Sequence, residues 1–125
     1  MKIFSRFIPV FALVLVSQAS GAQLDSNSVA VQIIKKEKVV FTVYGNCNMC
    51  KQRIEGAIKD LPGIISAEWN VDSKKLTVRF DPEEIMLNEI HKSIASAGHD
   101  TEKVRAENDA YESLPGCCKY DRPKS

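Results

Sequence analysis

Between Lys38 and Ala97 the apolar residues fall into five successive runs whose spacing alternates between strand and helix periods, and that succession narrows the available folds more than any other feature. Lys38 to Tyr44 alternates, with Val39, Phe41 and Val43 on one face and Val40, Thr42 and Tyr44 on the other, as a strand does. Lys51 to Leu61 changes to a helical period: Ile54, Ala57, Ile58 and Leu61 share a stripe that excludes Lys51, Glu55 and Lys59, and Pro62-Gly63 stops the helix. Ile65, Ala67, Trp69 and Val71 alternate, Asp72-Ser73-Lys74 turns, and Leu76, Val78 and Phe80 alternate again, which predicts an antiparallel hairpin. Asp81-Pro82-Glu83-Glu84 predicts a second helix start, with Asp81 as N-cap, proline at the first helical position and Glu84 closing a capping box. Leu87, Ile90, Ile94 and Ala97 form its buried stripe, His91 falls outside that stripe as a surface residue, and Gly98 suits the position after the helix. A weaker run, Thr101 to Ala106, is read as a last edge strand. The order predicts an α+β fold of the ferredoxin-like βαββαβ type, a four-stranded antiparallel sheet with two helices on one face.

Ahead of this pattern, residues 1–22 read as an export signal. Lys2 and Arg6 precede the apolar run Phe7 to Val16, and Ser20-Gly21-Ala22 supplies small residues before a cut. The run is about half the roughly 20 residues a membrane span needs, so no membrane attachment is expected after cleavage. Residues 23–35 read as a polar linker, 36–107 as the domain and 108–125 as a tail. A periplasmic or secreted location follows as an expectation. With the signal removed, 15 basic residues face 16 acidic ones, a balance that gives no reason to expect nucleic-acid binding.

Four cysteines in an exported chain make disulfides the default, against which any metal reading has to be weighed. Cys47 and Cys50 form a C-x-x-C pair on the loop between the first strand and the first helix. Cys50 is placed in the first helical turn, where unpaired N–H groups and the helix dipole lower a thiol pKa, and Gly45 allows a tight turn before the loop. Covalent haem attachment wants C-x-x-C-H, and residue 51 is Lys. A thioredoxin-like redox centre needs parallel βαβ order, whereas here a hairpin follows the helix directly. Two thiolates on one loop suit a soft ion such as Cu(I) or Zn(II). Thiol–disulfide exchange and a structural domain with disulfide-bonded or zinc-bound cysteines stay open as alternatives. No nucleophile paired with a base and no phosphate loop is apparent, and the chain is not read as an enzyme.

The strand–GNCNMC–helix segment, the element order and the helix ending in AGHD resemble the heavy-metal-associated domain family over Lys36 to about Glu107. That family includes copper chaperones, metal-binding domains of copper-transporting ATPases and a periplasmic mercury-binding protein. The resemblance implies a metallochaperone or metal buffer that holds Cu(I), with Hg(II) or Zn(II) as alternatives, on Cys47 and Cys50. It would pass the ion by ligand exchange to a metal-transporting ATPase or another cysteine-bearing acceptor. The usual family loop, G-M-x-C-x-x-C, is one residue longer and has a supporting Met; here Gly45-Asn46 precedes Cys47, and Met49 lies between the cysteines as an exposed position. His99 stands where the family carries a residue that tunes the metal loop, as an added ligand, a thiolate partner or a solvent-facing loop residue. Beyond the family core, Tyr111 and Leu114 form a small apolar pair that would dock the tail. Vicinal Cys117-Cys118 would join the first pair in a composite metal or redox site if the tail folds back, or cross-link to it.

Overall fold

The computed structural model describes residues 36–125; the signal and linker expectations lie outside the described residues. Strand β1 (Glu37–Thr42), helix α1 (Asn48–Ile58), strands β2 (Ile64–Trp69) and β3 (Lys75–Phe80) and helix α2 (Leu87–Ser96) follow one another in the expected order. A short helix α3 (Asn108–Glu112) and a 3₁₀ turn (Gly116–Cys118) complete the chain. Among the described residues no helix is long and apolar enough to cross a membrane.

The sheet has three strands in the order β1-β3-β2, all antiparallel. Its register sets Phe41 and Trp69 opposite Leu76, and Val39 and Ala67 opposite Val78, so alternate residues of all three strands share one face. Ile54 and Ile58 of α1 and Ile90 and Ile94 of α2 pack on that face, and each of the four is fully buried. Strand β2 contains a register shift between Ile64 and Ser66. The extra residue, Ile65, is turned out to solvent at 45 % exposure, and Ile64 packs against the core in its place. A bulge of this kind cannot be read from period-two alternation, because one added residue reverses the face.

The expected fourth strand is replaced by a single bridge, Val43 to Thr101. Beyond it the chain satisfies its amides locally. The Thr101 hydroxyl accepts the Val104 and Lys103 N–H groups, Thr101 N–H donates to the Val104 carbonyl at 2.8 Å, and Asp100 Oδ1 accepts the Ala106 N–H at 2.6 Å. Side-chain acceptors in this position compete with a sheet ladder and win. Helix α2 also begins later than expected. Asp81 Oδ1 accepts the Glu83 N–H at 2.9 Å and its carbonyl accepts those of Glu84 and Ile85, which makes a separate turn. The helix starts after Met86, whose N–H is held by Glu89 Oε2 at 3.2 Å. His91, expected on the surface, is buried at 1 % exposure: its Nδ1 bonds Thr101 Oγ1 at 2.7 Å and its ring packs on Phe41.

The tail folds back onto the domain. Leu114 and Tyr120 are buried, and the fold turns on Gly98, whose φ of +99° suits glycine alone. A Cβ there would also lie 2.7 Å from the Ala110 carbonyl and 3.0 Å from Leu114, so the tail can approach α2 only because residue 98 has no side chain.

Candidate metal centre

Helix α1 begins three residues earlier than its apolar stripe suggests, which makes Cys47 the N-cap and sets Cys50 in the first turn. Cys50 is fully buried and Cys47 partly exposed; their sulfurs are 3.7 Å apart. Cys50 Sγ accepts the Asn46 N–H at 3.3 Å, which holds the loop over it. Beneath the loop lies the Trp69 indole, its Nε1–H donating to the Val43 carbonyl at 3.0 Å. Gly45 has a negative φ; what its lack of a side chain permits is close packing, since a Cβ there would meet Cys50 Cβ at 3.0 Å and the indole at 3.1 Å. Trp69 is in turn held by α1: Glu55 Oε1 accepts its backbone N–H at 2.9 Å, and Lys51 Nζ donates to its carbonyl at 2.9 Å.

The tail brings a third sulfur. Cys118 is fully buried, and the Sγ atoms of Cys47, Cys50 and Cys118 all lie within 4.8 Å of one another, a donor set suited to a soft ion. The vicinal pair is split. Cys117 is exposed and its thiol points away, 3.4 Å from Met49 Sδ, while its carbonyl lies 3.5 Å from Cys47 Sγ. All four cysteines are free thiols in this structure.

Their electrostatics diverge. The Cys47 thiol is lowered to about 7, chiefly by the backbone N–H of Cys50; burial opposes this, and the Met49 N–H and the Cys50 and Cys118 side chains add to it. Neither amide reaches the geometry of a formal side-chain cap, so the effect is that of a helix start facing a sulfur. The helix start thus acts on the sulfur at the N-cap, Cys47. Burial pushes the Cys118 thiol well above the ordinary range, and hydrogen bonding to Cys50 adds to the rise.

His99 is not the solvent-facing loop residue among the expected alternatives. It is fully buried, its Nδ1–H donates to the Tyr44 carbonyl at 2.9 Å, and its ring stacks on Tyr120. Its nitrogens do not join the three-sulfur group, where the tail's Cys118 stands instead. Sequence reasoning missed the residues that seat the tail. The Tyr120 hydroxyl donates to the Gly98 carbonyl at 2.8 Å and accepts the Asp100 N–H at 2.7 Å. Arg122 grips the Asp100 carboxylate with two bonds of 2.9 and 2.7 Å, and Asn46 Nδ2 donates to the Lys119 carbonyl at 2.9 Å. The run Lys119-Tyr120-Asp121-Arg122 directly after the cysteines was the available signal: an aromatic and an arginine beside a thiol pair.

Residues 40–100 match the model of the heavy-metal-associated domain. The chain is similar to a copper chaperone, CopZ, of Staphylococcus aureus (strain bovine RF122 / ET3-1), 27 % identical over 55 residues that are 44 % of this chain and 81 % of that protein. It is also similar to a zinc-transporting ATPase of Synechocystis sp. (strain ATCC 27184 / PCC 6803 / Kazusa), 35 % identical over 54 residues, 43 % of this chain and 8 % of the ATPase. Among solved structures it resembles the N-terminal domain of a potential copper-translocating P-type ATPase from Bacillus subtilis in the Cu(I)-loaded state. That similarity has a TM-score of 0.51 at 25 % identity and covers 53 % of this chain and 84 % of that one. The family match ends at residue 100, so Cys117 and Cys118 lie beyond it.

Proposed function

We propose that this chain, which belongs to the heavy-metal-associated domain family through residues 40–100, carries or buffers a soft metal ion on Cys47 and Cys50. The observation that carries the reading is the pair of sulfurs 3.7 Å apart at the start of α1, one buried and one partly exposed with its thiol lowered to about 7. Such a pair has a thiolate at neutral pH with which to seize an ion and a second sulfur to hold it. Cu(I) is the ion we favour over Hg(II) or Zn(II), in view of the copper chaperone and the Cu(I)-loaded domain that the chain resembles. Transfer would proceed by ligand exchange. A cysteine of the acceptor binds the ion beside Cys47, Cys50 lets go, and each sulfur that leaves the ion recovers a proton. The acceptor would be a metal-transporting ATPase or another cysteine-bearing protein, in an exported compartment reached by way of the residues 1–22 signal. The role is binding and delivery rather than catalysis.

A competition titration with a chromophoric Cu(I) chelator, on reduced protein under anaerobic conditions, tests the reading. The wild type should take up Cu(I) tightly, and Cys47→Ser with Cys50→Ser should remove that uptake without altering the far-ultraviolet circular dichroism. Wild-type retention by the double variant would refute it.

A further inference from the structure

One sulfur of the cluster comes from outside the family match, on a tail that the rest of the domain takes pains to anchor. We propose that Cys118 is a third ligand to the ion held by Cys47 and Cys50, delivered by the docked tail, so that the centre is a three-sulfur site closed by residues 108–122. This rests on the soft-metal reading above and deepens it.

The distances admit three-fold coordination. With metal–sulfur bonds of about 2.3 Å, an ion at the centre of a triangle needs sulfurs about 4.0 Å apart, whereas a linear two-sulfur ion needs about 4.6 Å. Cys47 and Cys50 stand at 3.7 Å, near the triangle's separation, and all three sulfurs lie within 4.8 Å of one another. Small movements therefore bring the set to the triangle.

The two vicinal thiols have opposite orientations, and the chain fixes which one is inside. The Cys118 N–H donates to the Pro115 carbonyl at 2.8 Å, closing the 3₁₀ turn that buries Cys118 and leaves Cys117 at the surface beside Met49. Past the turn the tail is tied down. Asn46, in the cysteine loop itself, holds the Lys119 carbonyl, and two residues past Cys118 the Tyr120 hydroxyl bridges Gly98 and Asp100. Arg122 then clamps the buried Asp100. A thiol seated in this way reaches the ion without an ordering step, and a tethered ligand acts at an effective concentration in the millimolar range or above. Each thiol gives up its proton to solvent as its sulfur binds. Release then requires that Cys118 let go or the tail lift, with Cys47, the most accessible of the three, as the point of exchange.

The test is X-ray absorption at the copper edge on the full chain, reduced and loaded anaerobically with one equivalent of Cu(I), beside chelator competition. Wild type and Cys117→Ser should show three sulfur neighbours. Cys118→Ser, close to isosteric and checked for fold by circular dichroism and thermal melting, should show two sulfurs and retain Cu(I) about tenfold less well or worse. The wild-type sulfur count needs no variant and stands even if Cys118→Ser fails to fold. Two sulfurs in the wild type would overturn the third ligand and leave the soft-metal reading intact. So would a Cys118→Ser protein unchanged in count and retention, or loss of the third sulfur in Cys117→Ser instead. A reduced wild type that binds no Cu(I) would overturn both.

Discussion

Cys47 and Cys118 share one cluster, yet their surroundings drive them in opposite directions. At the N-cap, Cys47 faces the open amides of α1, led by that of Cys50, and its thiol falls to about 7. Cys118 faces apolar side chains and other thiols, and burial raises it. Toward an alkylating agent, the consequence is a reactive sulfur at the surface and a shielded one behind it. In the reduced, metal-free protein, alkylation mapped by mass spectrometry should modify Cys47 with a midpoint near pH 7, against about 8.5 for a free thiol. Cys118 should react only once the chain unfolds. A Cys47 midpoint in the ordinary thiol range would show that the helix start does not act on this sulfur.

At the scale of elements, the run Thr101 to Ala106, which the sequence assigns to an edge strand, forms local turns instead. Thr101 bridges Val43, and Asp100 and Thr101 then spend their acceptors on Lys103, Val104 and Ala106, so β1 keeps a mostly open edge. Asp100 is the hinge of this arrangement. Burial opposes its ionisation, but Arg122 and the Ala106 N–H more than offset that and hold its carboxyl below the usual range. Removing Arg122 would leave a carboxylate at 1 % exposure without its partner, the case in which breaking a buried pair is most damaging. Arg122→Ala should therefore cost about 3 kcal/mol in urea unfolding, and hydrogen exchange should rise first in residues 108–122. Adding Asp100→Asn to Arg122→Ala should recover part of the loss. An Arg122→Ala protein as stable as wild type would mean that the clamp does not hold the tail.

The whole molecule carries two buried histidines, and both link its stability to pH. Burial lowers the pKa of each from the ordinary 6.5; Lys103 adds to this at His91, and at His99 the bond to the Tyr44 carbonyl opposes it. Each ring uses Nδ1, and neither Nε2 has a hydrogen-bond partner among the described residues, so a second proton would be buried without an acceptor. Because the folded pKa lies below the unfolded one, the unfolded chain binds more protons beneath pH 6.5. Stability is then complete above 6.5 and declines as pH falls below it, by no more than about 1.4 kcal/mol per pH unit for each histidine. Cys47, also depressed, adds its own decline as pH falls from the free-thiol range through about 7, so the cleaner measurement uses Cys47→Ser. Its melting temperature should be level from pH 7.5 to 6.5 and drop toward pH 5, and His91→Gln should flatten the slope. A melting temperature constant across that range would contradict the linkage.

Spacing by itself determined the order of β1, α1, β2, β3 and α2, because an element that buries one face must repeat its apolar residues at its own period. The same local reading located Cys47 and Cys50 between a strand and a helix and favoured soft-metal binding over thiol–disulfide exchange or structural cysteines, because two thiolates on one loop suit a soft ion. Tertiary structure alone decided the remainder. Whether Ile64 or Ile65 faces inward depends on a bulge against β3. The burial of His91 depends on Phe41 and Thr101 packing around it, contacts 50 and 10 residues away in sequence. The third sulfur is the clearest case. Cys118 lies 68 residues from Cys50, and what unites them is a glycine without a side chain, a tyrosine hydroxyl and an arginine on a buried carboxylate. None of these has a local period, so each gains its meaning only when the chain has folded back on itself.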